Sequence, residues 1–202
     1  EPPAGWIEMD TSVFQPSHKE IIMDNLDPNF SYDDRANQTL FQKWFGVKRT
    51  GDLYTKNMEE RFWNPLVNKN FYGDSIRHAY YKSFGSGKCT ATWKTNIKEA
   101  GKYRIMVMVH SRKINNSRIV DDDFYSEIIF YYTVRCKDWL KEVELWPEVT
   151  LKEVSLQLEW LELGVFDLPA GEVSVTLSDK DKKGRKNMVI FADAVKWMKL
   201  DE

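Results

Sequence analysis

Three histidines, His18, His78 and His110, are the only imidazoles in the chain, and they limit what chemistry it can perform. Neither a Gly-x-Ser-x-Gly elbow nor a His-Glu-x-x-His pair occurs, so nucleophilic and zinc-hydrolase constellations lack their recognisable parts. Two cysteines are present. Cys89 alternates in phase with Ala91 and Trp93, which makes it a buried, inert thiol rather than a nucleophile. Two groups of carboxylates stand out, Asp121-Asp122-Asp123 and Asp24 with Asp27. Calcium favours such oxygens but needs about six to eight ligands in a defined loop. Neither run has EF-hand spacing. The plainer reading is a solvated loop and an Asx-type turn, with calcium as the one ion this chemistry admits and no cofactor otherwise expected.

Aromatics are the more promising chemistry. Eight Trp, nine Tyr and eleven Phe amount to 14% of the chain. An exposed indole or phenol ring stacks on the C–H face of a sugar, while nearby Asn, Asp, Arg or Lys bond its hydroxyls. Trp44, Trp63, Phe71, Tyr72, Tyr80 and Tyr81 lie in an irregular stretch interleaved with such polar residues. Trp44, Trp63, Tyr72 and Tyr80 are the ligand-stacking candidates. Core or loop packing is the competing explanation for each of them. Trp93 and Trp160 fall in strand phase and read as core. Phe191, Asp193, Val195 and Trp197 share one strand face, so one of them must be unusual. Asp193 reads as a buried polar group bonding a loop backbone.

The elements that would position these groups are strands. Period-2 alternation runs through the second half. Cys89, Ala91 and Trp93 share a face. Tyr103, Ile105, Val107 and Val109 share another, with Met106 and Met108 making the opposite side apolar, as in a central strand. Phe130, Tyr132, Val134 and Cys136 form a third, within a strand read over Phe124–Cys136. Lys137–Leu151 fits either a short helix or a strand, and Pro147 ends either. Val154, Leu156, Leu158 and Trp160 alternate, then the phase slips to Leu161, Leu163 and Val165, which predicts a bulge or turn at Glu159–Leu161. Val173, Val175 and Leu177 follow the turn at Pro169-Ala170-Gly171. Asp179–Lys186 reads as a charged, solvated hairpin loop, and Val189–Trp197 as one closing strand. The first half is less regular, with a helical turn at Gln38–Phe45 and otherwise long loops and short strands. Strands separated by turns, without helices between them, predict an all-β protein. The expected architecture is an antiparallel β-sandwich, jelly-roll-like, with long loops in the N-terminal half. Residues 1–18, with three of the prolines, read as a linker or edge segment, and 19–202 as one domain.

Composition excludes several classes. Lys and Arg number 29 against 31 Asp and Glu, a net charge of -2, which lacks the basic field of a nucleic-acid binder. No apolar run is long enough for a transmembrane helix. The chain starts at Glu1 without a signal-type leader and reads as a mature chain or a piece of a longer one. Cys89 and Cys136 permit one bridge, and only if their Cα atoms come within about 7 Å; the strand phases predict two reduced, buried thiols.

The order of short motifs resembles the golvesin/xanthan-lyase C-terminal-like domain. Asp24-Asn25-Leu26-Asp27-Pro28-Asn29-Phe30 resembles its opening. Phe71-Tyr72-Gly73 with Arg77-His78-Ala79-Tyr80 is similar to its Gly-x-x-Tyr-Arg-x-Ala segment. Gly87–Trp93 is similar to its Gly-x-Ala-x-Ala-x-Trp strand, and Ala100–Ile105 to its Ala-Gly-x-Tyr-x-Val strand. Tyr132-Thr133-Val134, Trp160–Phe166 and Ala192-Asp193-Ala194-Val195 match its later motifs in order. The resemblance covers about residues 21–200 and departs at the bulky Cys136–Leu151 segment and the insertion between Trp44 and Tyr72. It implies a non-catalytic β-sandwich like a carbohydrate-binding module, an accessory domain of a larger secreted or surface bacterial protein. Its expected partner is a polysaccharide or, alternatively, the parent's own catalytic domain, without nucleic acid. The expected location is extracytoplasmic.

Overall fold

The computed structural model describes residues 20–45, 61–69, 71–73, 77–110, 129–137, 139–146, 158–181 and 189–201. The segment 1–18, the acidic run Asp121–Asp123, the alternating Val154 and Leu156 and most of the basic tip 180–186 lie outside these residues.

Strands dominate. Those of the first half are short: β1 (Glu20–Asp24), β2 (Phe30–Asp33), β3 (Asn64–Val67) and β4 (His78–Ser83). The helix α1 spans Leu40–Phe45, as the helical turn anticipated. The second half holds β5 (Thr90–Ile97), β6 (Gly101–His110), β7 (Phe130–Cys136), β8 (Leu140–Leu145), β9 (Leu158–Leu168), β10 (Gly171–Ser178), β11 (Val189–Ala192) and β12 (Ala194–Lys199). They form a four-stranded sheet β1-β12-β6-β9, a five-stranded sheet β2-β5-β10-β7-β8, and a three-stranded sheet β11-β4-β3. All these strand pairs are antiparallel. The all-β sandwich follows directly from the alternation.

Inward residues of the two larger sheets share one core. Ile105, Val107 and Trp197 from one sheet belong to the same buried cluster as Trp93, Val134 and Val175 from the other. β6 lies between β12 and β9, the central position its two apolar faces require. Cys89 and Cys136 are both free and buried. Burial pushes the Cys89 thiol up to about 11, with the Asp179 carboxylate adding to the shift, so the thiol stays protonated and unreactive.

Within Lys137–Leu151, which fitted either a helix or a strand, Leu140–Leu145 forms strand β8, because Val143 and Leu145 alternate toward the core beside Tyr132 and Phe130. Three expectations need correction. The phase slip of β9 is a bulge at Leu163. Ile105 faces Gly164 while Met106 faces Glu162, so Leu163 has no partner of its own. Leu161 and Leu163 point inward before the bulge, Phe166 and Leu168 after it. Trp160 thereby falls on the outer side and is half-buried, its ring edge-on to Tyr72 at 5.7 Å and covered by Lys196 Nζ at 4.7 Å. The expected single closing strand is broken at Asp193 into β11 and β12, which belong to different sheets. That break resolves the conflicting face. Trp197 and Val195 enter the main core, while Phe191 packs with Phe71 and Ala79 in a second, smaller cluster. Finally, Asp179 is not a solvated loop residue; it is 1% exposed.

Candidate functional site

The four aromatic candidates fall in four different environments. Trp63 is completely buried in the main core, so its ring offers no face to a ligand, and it leaves the candidate set as a packing residue. The irregularity of its segment in sequence hid this, because a residue can enter the core from a loop without any periodic neighbours. Tyr72 is half-buried, turned edge-on to Trp160, and its backbone N–H donates to Asp193 Oδ2 at 3.2 Å. Tyr80 on β4 joins Phe30 and Tyr32 of β2, with centroids 5.5 and 4.8 Å away. Trp44 on α1 is 84% exposed. Tyr80 packs with Phe30 and Tyr32 against the main core, and of these three only Tyr32 also lines a groove.

That groove lies at the β2 edge of the five-stranded sheet. It encloses about 410 Å³ and is lined by Ser31, Tyr32, Asp33, Asp34, Arg35, Gln38, Thr90 and Thr92. Strand alternation produces it. Phe30 and Tyr32 pair with Trp93 and Ala91 and turn toward the core, so Ser31 and Asp33 turn outward beside Thr92 and Thr90. Thr92 Oγ1 lies 3.0 Å from Thr176 Oγ1 on β10, and Thr176 is in register with Thr133 on β7. Hydroxyls therefore recur across adjacent strands, at the roughly 4.8 Å strand spacing.

A charged fork closes one end. Arg35 Nη2 donates to Asp33 Oδ2 at 2.7 Å and Nε to Oδ1 at 3.1 Å, while the Arg35 backbone N–H donates to the same Oδ1 at 2.9 Å. Bonding to Arg35 holds the Asp33 carboxyl below its usual range. A single 3-10 turn over Arg35–Asn37 presents the guanidinium, and Gln38 Nε2 anchors to the buried Asp34 at 3.2 Å. α1 begins two residues later behind a reciprocal cap: Gln42 N–H donates to Thr39 Oγ1 and Thr39 N–H to Gln42 Oε1. The Thr-x-x-Gln spacing of this capping box is a readable helix start. Sequence reasoning overlooked Asp33, Arg35, Thr90 and Thr92. Their signal lies in the polar positions of the Thr90-x-Thr92 strand, the face opposite its apolar residues.

Asp24 and Asp27 lie elsewhere, at the end of β1 and in the turn that follows it. Asp27 Oδ2 accepts the Asp24 backbone N–H and Asp24 Oδ1 accepts that of Asn25, so both carboxylates bond the turn itself. Asn25 is buried and ties three segments. Its Nδ2 donates to the carbonyl oxygens of His78 and Asp193, and its Oδ1 lies 2.6 Å from His78 Nδ1. Trp93 Nε1 donates to the same Asp193 carbonyl at 3.2 Å. Asp193 thus bonds loop backbone through its side chain and accepts two side-chain donors on its main chain, at the point where the chain passes between sheets. Among the described residues no group of three or more His, Cys, Asp or Glu is arranged to hold a metal ion. No described helix is long and apolar enough to cross a membrane.

No protein-family model and no curated protein sequence matches the chain. Solved structures do. A xanthan lyase from Paenibacillus is similar over 91% of this chain at 16% identity and a TM-score of 0.56, and this chain covers 13% of that one. A family 35 carbohydrate-binding module from Clostridium thermocellum is similar over 88% of this chain and 98% of its own, at 10% identity and a TM-score of 0.46. At such identities the likeness is one of fold. The chain shares its sandwich with a small portion of a much longer polysaccharide lyase.

Proposed function

We propose that this chain is a non-catalytic, carbohydrate-binding accessory domain of the golvesin/xanthan-lyase C-terminal-like type, acting outside the cytoplasm as part of a larger bacterial protein. One observation carries the reading: the groove of Ser31, Tyr32, Asp33, Arg35, Gln38, Thr90 and Thr92 at the β2 edge of the sheet. Its lining is hydroxyl, amide, carboxylate and guanidinium, the donors and acceptors that pair with sugar hydroxyls. Arg35 projects five N–H donors from one planar group, and part of that fork is spent on Asp33. The fold likeness to a xanthan lyase portion supports an accessory role within a longer chain.

Glycan affinity at such an open groove is expected between millimolar and micromolar, about -4 to -8 kcal/mol. Affinity electrophoresis through gels carrying soluble polysaccharides, anionic and neutral, tests it. Arg35→Ala and Thr92→Val should lose retardation while keeping the wild-type melting temperature. If no gel retards the wild type, the glycan reading fails.

A second reading is favoured by α1. Leu40, Phe41, Trp44 and Phe45 are each at least 70% exposed, and Phe41 and Phe45 lie 4.6 Å apart. An apolar knob of this kind suits docking on the parent's catalytic module. Loss of co-migration with that module in a Trp44→Ala chain that still binds glycan would assign docking to α1 and sugar to the groove.

A further inference from the structure

Among the described residues, Lys82 is one of the largest fully buried side chains. It lies on β4 opposite Ile190, itself fully buried. Its ammonium Nζ donates to Asp179 Oδ2 at 2.5 Å and to the Ser83 carbonyl at 2.9 Å. Both members of the pair are 1% exposed.

The loop 84–89 wraps Asp179. Oδ1 accepts the backbone N–H groups of Gly87 at 2.8 Å and Cys89 at 3.2 Å. The Asp179 carbonyl accepts the Gly85 N–H, and the Asp179 N–H donates to the Cys89 carbonyl. Gly85 is held so close that a Cβ there would stand 2.3 Å from Asp179 Oδ2. A side chain there would require the carboxylate or the loop backbone to shift.

We propose that Lys82 and Asp179 condense to an intramolecular amide between Nζ and Cγ, a covalent cross-link from β4 to the end of β10. The chemistry needs no external reagent. Condensation starts with a proton passing along the Nζ–Oδ2 hydrogen bond already in place. Transfer from Nζ to Oδ2 leaves a neutral amine, the nucleophilic form of lysine, against a carboxylic acid.

Nζ then attacks Cγ. The developing charge falls on Oδ1, where the Gly87 and Cys89 N–H groups already point, in the arrangement that stabilises acyl-transfer intermediates. The Cγ–Oδ2 bond breaks. Of the three ammonium protons one remains on the amide nitrogen and two depart with Oδ2 as water, so atoms and charge balance without oxidant or cofactor. Amide formation is unfavourable between free groups in water. Here the partners are held in place and solvent is excluded, which favours condensation and retards hydrolysis.

Asp179 stands 97 residues from Lys82, and the bond would join the three-stranded sheet to the five-stranded one. The proposal does not depend on glycan binding.

Intact-mass spectrometry of the denatured wild-type chain tests it. The expected result is a mass about 18 Da below that of the sequence, reflecting one lost water. Peptide digestion should yield a single branched peptide joining the Lys82 and Asp179 segments. Lys82→Met should restore the full mass, whether or not that variant folds well. A wild-type chain of full mass overturns the proposal. So does a lost water that fragmentation places elsewhere, such as a succinimide at another aspartate.

Discussion

At the scale of single residues, burial separates aromatics that look alike in sequence. Trp63 is fully buried and Trp44 largely exposed. Trp63→Ala should therefore cost about 3–5 kcal/mol, and Trp44→Ala within about 0.5 kcal/mol of nothing. Urea unfolding of both variants measures the difference, and equal effects would contradict the packing. Charge is set at this scale too. Burial raises the Asp24 carboxyl from 3.8 to about 7, with Asp193 and Asp27 adding repulsion against the bond from the Asn25 N–H. The folded state therefore prefers the protonated acid. This contribution is complete below pH 3.8 and is lost as pH rises through about 7. His78 acts in the opposite sense: burial lowers its pKa from 6.5, outweighing the pull of Asp193, so its contribution is lost as pH falls below 6.5. Asp24→Asn keeps an oxygen for the Asn25 N–H and removes the charge. It should raise the melting temperature at pH 8 and change it little at pH 4. An equal change at both values would mean that the buried charge is not the cause.

At the scale of elements, β9 shows how one residue redirects a strand. Gly164 follows the unpaired Leu163 with φ of 139°, a backbone region that L side chains rarely occupy. A Cβ there would also touch the Phe166 ring at 3.4 Å. Gly164→Ala should destabilise the sandwich by about 1–3 kcal/mol, read as a lowered midpoint in thermal unfolding. A neutral outcome would mean that the bulge relaxes without cost. β8 was ambiguous in sequence because Trp139, Leu140, Val143 and Trp146 match a helical period. Pairing with β7 decided it. Trp139 stacks on Phe166 at 5.9 Å, while Leu140 and Trp146 remain outside, 48% and 55% exposed.

At the scale of the whole molecule, the first and last described strands close the fold. β1 pairs with β12, and β12 with β6. Removing residues 194–202 would leave β1 without a partner and expose the edge of β6. The truncated chain should lose its cooperative thermal transition, and a retained transition would show that β12 is dispensable. Circular dichroism of the intact chain should be dominated by strand signal, since the described structure is 63% strand and 7% helix. Because sheet partners such as β1 and β12 are so distant in sequence, refolding should occupy milliseconds to seconds, followed by tryptophan fluorescence after dilution from urea.

Alternation of apolar and polar residues by itself determined the all-β class, the inward faces of β5, β6, β7 and β10, and the burial of both cysteines. The reason is local: a strand puts every second side chain on one side, so a half-buried strand must show that period. The break at Asp193, the bulge at Leu163, the burial of Trp63 and the hidden pair of Lys82 with Asp179 were decided only by tertiary structure. Each depends on a partner far along the chain. Lys82 can be buried only once Asp179, Gly87 and Cys89 are folded around it, because burying an ion is tolerable only with its counter-charge and hydrogen bonds in place. The groove was half legible. Its hydroxyl floor is written in the outward positions of β5, but its walls exist only because β2 adds to the edge of that strand and carries Arg35 and Gln38 beside it.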